Sequence, residues 1–203
     1  MGGLFALALA VIRQDLAEKL ALFATPWDFS VPPFPRFVLQ EQEIAQLREY
    51  IQAGETLSAE FIHTLFHLIN PYAFQNKLRE FGAMENEQAI QEFLAIEHWV
   101  NDGVPMTRRV ALDCLIHWTQ YNQPARLQWQ AGGQTIDPAK ITLPAFLAAP
   151  QKDTIVPSQC ALPLAEKLQH CHVTTPRTGH IGMMVGKERK SALWNEFAGW
   201  VGG

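Results

Sequence analysis

Short apolar runs and helical patterns alternate near both ends of the chain. Residues 4–12 are Ala, Leu, Phe, Val and Ile throughout, and a helix that is apolar on all sides is normally buried on most of them. Residues 20–25 form a continuous apolar run that Pro26 ends, which favours a buried parallel strand. Residues 141–149 and 172–175 predict two more strands. Alternating helices and buried strands indicate an α/β fold with a mostly parallel sheet.

The same end regions contain three further predicted helices and one hairpin. The pattern favours helices over residues 106–121, 161–170 and 187–200, the first and last of them amphipathic. Apolar and polar residues alternate up to Gly132-Gly133, which is typical of a small β-hairpin.

The middle of the chain has a different pattern. Three closely spaced prolines predict an extended linker, namely Pro32, Pro33 and Pro35. Helical patterns follow over four segments, namely 41–53, 58–69, 71–81 and 87–100. Ser58 is a suitable N-cap and Pro71 suits a first helical turn. We therefore expect a helical lid over residues 30–104, inserted into a partial α/β core formed by residues 1–29 and 105–203.

Composition and charge narrow the possible functions. The 203 residues are enough for one domain with an insertion, and 48% hydrophobic with 18% charged residues is an ordinary globular balance. The formal net charge is -4, and no cluster of Lys and Arg is present. Both features argue against binding to nucleic acid.

The cysteines and the apolar N-terminal segment indicate in which cellular compartment the protein is expected. Cys114, Cys160 and Cys171 have no C-x-x-C spacing, which is typical of reduced intracellular cysteine rather than of disulfides or a zinc site. The apolar start is shorter than the roughly 20 residues that cross a bilayer. It also lacks the basic region of a signal peptide. We therefore expect a cytoplasmic protein without a transmembrane segment.

Asp153 directly follows the predicted strand 141–149, in a tight loop that Pro157 closes. Functional groups of open α/β sheets gather at the carboxyl ends of strands, so this carboxylate is well placed to accept a hydrogen bond from a histidine. The ordinary alternative is an Asp that stabilises a turn or caps a helix.

His180 follows the next predicted strand, between Gly179 and Gly182. Small neighbours allow close approach of the backbone and expose the imidazole, although a histidine of a surface loop is the alternative. His180 lies 27 residues after Asp153, which leaves room for one helix and one strand between them. Acid before histidine is the order of an α/β-hydrolase triad, with the histidine as base and the Asp as its orienting partner.

The chain lacks an obvious nucleophile. No G-x-S-x-G or G-x-C-x-G motif is present. Cys114 lies in an amphipathic stripe typical of a core, and Ser158 is better explained as a helix cap. However, Gly2-Gly3 before an apolar helix is the pattern expected just after the turn that carries such a nucleophile.

Several motifs together resemble the poly(3-hydroxyalkanoate) synthases and their α/β-hydrolase relatives. The start of the chain is similar to a Gly-x-Cys-x-Gly-Gly elbow followed by an apolar helix and a strand ending in Thr-Pro-x-Asp-Phe. Residues 99–105 resemble a Trp-Asn-x-Asp…Pro stretch that closes the lid, and residues 132–144 a Gly-x-x-(Val/Ile)-Asp…Ile-x-x-Pro stretch. Residues 152–157 and 179–182 match the acid and histidine motifs.

This resemblance implies the C-terminal part of an α/β-hydrolase fold with a helical lid. It implies an acyltransferase that joins hydroxyacyl units from coenzyme A thioesters into a polyester, with no metal or other cofactor. Asp153 and His180 would be catalytic, Met1 would follow the nucleophile, and Gly2 and Gly3 would belong to the elbow. Among the lid residues, Trp99 and Asp102 would contact substrate.

A chain without a nucleophile is expected to be inactive alone. It is also expected to form a homo-oligomer or to join a missing N-terminal half, because its first predicted strand would lack a neighbour. Two alternatives remain open: half of an esterase or acyl hydrolase, and a non-catalytic module that binds a synthase or a polyester granule.

Overall fold

The computed structural model describes residues 1–32, 38–69 and 72–203 of the chain. The predicted linker prolines Pro33 and Pro35, and Pro71 of the predicted helical turn, lie outside these residues.

Two compact units make up the described chain. Residues 1–44 and 113–203 form one unit, called the sheet unit below, and residues 45–112 form the other, called the helical unit.

Three parallel strands lie at the centre of the sheet unit, in the order β1-β6-β7. They are β1 (Leu20–Phe23), β6 (Ala145–Ala148) and β7 (Cys171–Thr174). Leu20 pairs with Ala145, and Ala145 with Cys171. All four residues of β6 are buried, as expected of a central strand with both faces covered.

Helices cover the sheet. They are α1 (Gly2–Ile12), α7 (Ser158–Ala165), α8 (Gly182–Val185) and α9 (Asn195–Gly202). On the α9 side, an aromatic cluster packs around Phe146, whose ring centroid lies 5.3 Å from that of Phe197 and 5.4 Å from that of Trp200. Lys19 Nζ donates to the carbonyl oxygens of Trp200 and Val201, at 3.0 and 2.8 Å, and so holds the C-terminal end of α9.

The helical unit contains most of α2 (Glu41–Ala53), together with α3 (Ala59–Ile69), α4 (Ala73–Gly82), α5 (Glu87–Asn101) and the short α6 (Arg108–Leu112). Ser58 Oγ accepts a hydrogen bond from the backbone N–H of Phe61 at 3.3 Å, which is the predicted N-cap. Asn86 caps α5 in the same way through Ala89 N–H, at 2.9 Å. Local signals therefore define these helices well.

Some sequence predictions were wrong in detail. Residues 106–121 do not form one helix: β3 (Met106–Thr107) pairs with β2 (Thr56–Leu57), and after α6 the chain forms a π-helix over Asp113–Trp118. The pairing partner lies some fifty residues upstream, so no local pattern reports it.

Two predicted elements near the acid loop are shorter or shifted. The strand predicted over 141–149 covers only Ala145–Ala148, and residues 141–144, which follow a 3-10 turn at Pro138–Lys140, are not part of it. The helix predicted over 161–170 is Ser158–Ala165, and its N-cap is Pro157 rather than Ser158, the residue that the sequence suggested as a cap.

The predicted hairpin is confirmed. The two strands β4 (Gln130–Ala131) and β5 (Gln134–Thr135) pair antiparallel, and Gly132 and Gly133 have φ values of 57° and 77°. Two successive positive φ angles are what a two-residue hairpin turn of type I′ requires.

None of the helices within the described ranges is long and apolar enough to cross a membrane.

Candidate acid–base site

The acid loop and the histidine loop begin at neighbouring strand ends. β6 ends at Ala148 and β7 at Thr174, and the strand pairing continues past both ends. Ala149 N–H donates to Thr174 O at 2.9 Å. Further out, Gln151 N–H donates to Pro176 O and Lys152 N–H to Thr178 O, at 2.9 and 3.0 Å. The two loops are therefore held side by side at the carboxyl edge of the sheet.

Asp153 and His180 meet where these loops end. His180 Nδ1 lies 2.7 Å from Asp153 Oδ2. The Asp153 side chain is fully buried, whereas that of His180 is 30% exposed. One side of the imidazole is thus fixed by a buried carboxylate, while the side chain remains partly accessible.

The second oxygen of Asp153 is also occupied. Asp153 Oδ1 accepts the backbone N–H groups of Ile155 and Val156, at 2.9 and 2.8 Å. These bonds make the tight turn that was the ordinary alternative for this residue, so Asp153 both closes its own loop and binds His180. A carboxylate held at both oxygens has little freedom to turn away from the imidazole.

The two glycines beside His180 are not required by close packing. A Cβ on Gly179 would meet Lys152 O at 3.5 Å, which is ordinary contact, and one on Gly182 would meet nothing within 4 Å. The prediction that small neighbours permit a close backbone approach was therefore wrong. The position of His180 comes from the paired loops.

A close approach does occur at Gly3, in the predicted elbow remnant. A Cβ on Gly3 would overlap the side chain of Thr25, which is 1% exposed and follows the end of β1. Gly2 has no such neighbour, and Met1 is the N-cap of α1. The N-terminal end of α1 therefore lies against the end of β1, at the same sheet edge as the acid and histidine loops.

Trp99 and Asp102 belong to the helical unit. Trp99 lies in the last turn of α5 and is 57% exposed, and Asp102 is the exposed C-cap of the same helix. Their proposed contact with substrate stays a prediction.

No cysteine of the chain has the properties of an activated nucleophile. Burial raises the pKa of Cys114 to about 12, a value that already includes the opposing effect of the N-terminal ammonium group and the smaller supporting effect of Asp113. Burial also raises the pKa of Cys160 to about 12, with Asp28 and Asp153 adding to it. The pKa of Cys171 is raised as well, chiefly by burial. Because the thiolate is the nucleophilic form, these three thiols are poor candidates.

The sequence reasoning missed a polar cluster after β1. Asp28 Oδ1 accepts from Ser30 N–H at 2.9 Å, Ser30 Oγ at 2.6 Å and Asn122 Nδ2 at 2.9 Å. Burial opposes ionisation of Asp28, but these hydrogen bonds outweigh it and lower its pKa. Asp28 is the Asp of the Thr-Pro-x-Asp-Phe motif, so a signal was present in the sequence. Its partner Asn122 could not be identified from the sequence.

Two other acid–histidine pairs in the chain differ from the Asp153–His180 pair in the exposure of the carboxylate. His117 Nδ1 lies 2.8 Å from Asp113, and His172 Nε2 lies 2.7 Å from Glu196. Their carboxylates are 24% and 42% exposed, against 0% for Asp153. A short distance alone is therefore common in this chain, and the buried acid at a strand end is the distinguishing feature.

The described residues contain no group of three or more candidate metal ligands.

No family model matches the chain. Among curated proteins, the poly(3-hydroxyalkanoate) polymerase subunit PhaC of Haloferax mediterranei is 22% identical over 204 residues. The match covers 98% of this chain and 42% of that protein. The PhaC subunit of Allochromatium vinosum is also 22% identical, with 98% and 57% covered. The chain thus spans about half the length of the curated relatives it matches.

Solved structures share the fold. A hydrolase from Pseudomonas aeruginosa superposes with a TM-score of 0.54 at 15% identity, over 99% of this chain and 62% of that one. A monoacylglycerol lipase from Paleococcus ferrophilus gives a TM-score of 0.55 at 12% identity, over 98% and 63%. The chain has an α/β-hydrolase fold and is similar, over nearly its whole length, to part of the poly(3-hydroxyalkanoate) polymerase subunits.

Proposed function

We propose that this chain supplies the acid–base pair of a polyhydroxyalkanoate synthase-like acyltransferase, with His180 as the base and Asp153 as the residue that orients it. The observation that carries the proposal is the 2.7 Å contact between His180 Nδ1 and a fully buried carboxylate. The similarity to PhaC subunits supports the reaction class.

The proposed chemistry uses Nε2, the ring nitrogen of His180 that does not face Asp153. With Nδ1–H donating to Asp153, the neutral ring has its lone pair on Nε2, where it accepts the proton of a cysteine thiol. The thiolate attacks the carbonyl carbon of a hydroxyacyl-CoA thioester, and the bond between that carbon and the coenzyme A sulfur breaks. His180 returns its proton to the departing thiolate. In the next step it takes the proton of a hydroxyl group, whose oxygen attacks the carbonyl carbon of the enzyme-bound acyl group. The bond between that carbon and the cysteine sulfur breaks, an ester forms, and His180 returns the proton to the cysteine thiolate.

The nucleophilic thiol in this scheme lies outside these 203 residues, because none of the three cysteines present lies in a Gly-x-Cys-x-Gly motif and burial raises the pKa of each. We therefore expect that these residues alone release no coenzyme A from 3-hydroxybutyryl-CoA and no nitrophenol from a nitrophenyl ester. Turnover by these residues alone that is lost in His180→Ala would contradict this part of the proposal, and turnover of the ester only would favour the esterase alternative.

The acid–base pair itself is testable without turnover. Nitrogen-15 NMR of the histidine side chains should show His180 protonated at Nδ1 in its neutral form, and Asp153→Asn should change that tautomer. Asp113→Asn, at the partly exposed pair with His117, is the matched control and should leave the His180 signals unchanged. An Nε2–H tautomer of neutral His180 in the unsubstituted chain would argue against its role as base.

In a complex that contains the nucleophile, Asp153→Asn should lower kcat by about 10⁴-fold, as the same change of the orienting acid does in a serine-protease triad. His172→Ala is the control histidine and should retain activity.

A further inference from the structure

The helix that follows the acid loop has little stability of its own. α7 has only eight residues, Pro163 lies inside it, and its N-cap makes no side-chain hydrogen bond. A helix of this length is marginal in isolation, and a proline inside it removes one backbone hydrogen bond. Contacts with the rest of the sheet unit must therefore fix the position of α7.

The segment that follows β1 supplies such a contact. The backbone N–H groups of Trp27 and Asp28 both donate to Cys160 O, at 2.8 and 2.9 Å. Trp27 is 1% exposed and Cys160 0%, so water competes little for these hydrogen bonds. Two donors on one buried carbonyl oxygen hold the first turn of α7 against this segment.

The first turn of α7 is joined to the turn that contains Asp153. Cys160 N–H donates to Pro157 O at 2.8 Å, and Pro157 directly follows Val156, whose N–H donates to Asp153 Oδ1 at 2.8 Å. Burial is the main cause of the raised pKa of Cys160, but the charges of Asp28 and Asp153 both contribute to it. The two carboxylates therefore lie near the same buried thiol.

A pair of polar side chains fixes the segment after β1. Asn122 Nδ2 donates to Asp28 Oδ1 at 2.9 Å, and Asn122 Oδ1 accepts the backbone N–H of Phe29 at 3.0 Å. Asn122 has a φ of 50°, which Asn adopts more readily than most residues. Its own N–H donates at 2.9 Å to the carbonyl oxygen of Trp118, which is fully buried. The segment after β1 is thus attached to the buried end of the π-helix.

We propose that Asp28 and Asn122 are positioning residues of the acid–base pair. By fixing the segment after β1 they fix α7, and with it the turn in which Asp153 orients His180. Neither Asp28 nor Asn122 takes part in the chemistry itself. This proposal rests on the proposed function, because the orientation of His180 is what the two residues would maintain.

Asn122→Asp breaks the pair with little change of shape. The new carboxylate can still accept the N–H of Phe29, but it cannot donate to Asp28 and it repels that carboxylate. The reversed pair, Asp28→Asn combined with Asn122→Asp, again places an amide beside a carboxylate. It should therefore restore the behaviour of the unsubstituted chain.

Two readouts report on the acid–base pair directly. Amide hydrogen exchange at Val156, whose N–H binds Asp153, should become about tenfold faster or more in Asn122→Asp, because the turn opens more often. The Nδ1 signal of His180 should shift in nitrogen-15 NMR. Exchange at Leu147, which is fully buried in the central strand β6, should stay unchanged.

Two further variants complete the test. Asn195→Asp makes the same charge change at an exposed position at the start of α9, and it should leave the exchange at Val156 and the signal of His180 unchanged. Asp28→Asn alone retains Oδ1 and removes only the charge, so it should fold and accelerate the exchange at Val156 by a smaller factor.

Three results would overturn the inference. They are unchanged exchange at Val156 in both Asn122→Asp and Asp28→Asn, an equal acceleration at Leu147, and a reversed pair that does not restore slow exchange. If Asn122→Asp does not fold, unchanged exchange at Val156 in Asp28→Asn is sufficient to overturn it.

These measurements need no turnover, which separates the inference from the proposed function. In a complex that contains the nucleophile, Asn122→Asp should lower kcat more than it changes KM, and the reversed pair should restore kcat. Turnover retained in His180→Ala would refute the proposed function, whereas the exchange at Val156 would still show whether Asp28 and Asn122 hold the acid turn.

Discussion

The sheet unit and the helical unit bury their apolar side chains to very different extents. In the sheet unit all four residues of β6 are buried, and Leu4, Leu22, Phe146 and Leu193 are each fully covered. In the described part of the helical unit only three buried apolar residues occur, Ile51, Leu57 and Ala111, and α5 contains none. Local helix signals are therefore sufficient to define helices, but they do not produce a core.

This contrast has a consequence for stability. Helices that bury little of their surface depend on propensity, caps and pairs such as Lys77–Glu97, at 2.7 Å, and each such feature contributes roughly 1 kcal/mol or less. A buried aromatic contributes several times more. The two units should therefore respond very differently to similar substitutions.

The largest difference is expected between Phe146→Ala and Leu94→Ala. Phe146 is fully buried, and its ring packs against Phe23, Phe197 and Trp200, so its truncation should lower the free energy of unfolding by about 3–5 kcal/mol. Leu94 is 45% exposed on α5, and its truncation should change stability by about 0.5 kcal/mol or less. Urea denaturation followed by tryptophan fluorescence measures the free energy of unfolding of both variants. Equal losses in the two variants would contradict the difference between the two units.

A sharper contrast is available within α1. Gly3→Ala places a methyl group on the buried Thr25 side chain and should lower the free energy of unfolding by about 1–3 kcal/mol. Gly2→Ala meets nothing within 4 Å and should be neutral or stabilising by up to about 1 kcal/mol, because Ala favours the helix. Thr25→Ala should relieve the effect of Gly3→Ala in a double-mutant cycle, and the absence of coupling would exclude this contact as its cause.

The smallest expected effect concerns the polar contact between β7 and α9. The hydrogen bonds from His172 and then Thr174 lower the pKa of Glu196. A carboxyl group with a lowered pKa in the folded state stabilises the protein above its unfolded pKa of 4.5, and this contribution is lost as the pH falls through the folded value. Because Glu196 is 42% exposed, the contribution should stay below about 1 kcal/mol.

Denaturation between about pH 6 and pH 3 measures this contribution. Over that range Glu196→Gln should lose less stability than the unsubstituted chain. An identical pH dependence in both proteins would show that the contact between β7 and α9 does not contribute.

The sequence by itself determined the helices with clear local signals. The prediction over 41–53 matches α2 as observed, and Ser58 caps α3 as expected. It also predicted where Asp153 and His180 would meet, because consecutive parallel strands end at one edge of a sheet and short loops cannot carry their side chains far apart.

Only the tertiary structure decided what depends on residues far apart in the chain. A Cβ on Gly3 would overlap the side chain of Thr25, and Asn122 donates a hydrogen bond to Asp28. Neither periodicity nor spacing in the sequence identifies Thr25 or Asn122 as the partner. The same holds for α1, whose composition predicts burial on all sides although Met1, Phe5 and Leu9 are 39%, 43% and 53% exposed in the described structure. Composition reports how much apolar surface must be buried, whereas the three-dimensional arrangement of strands decides what buries it.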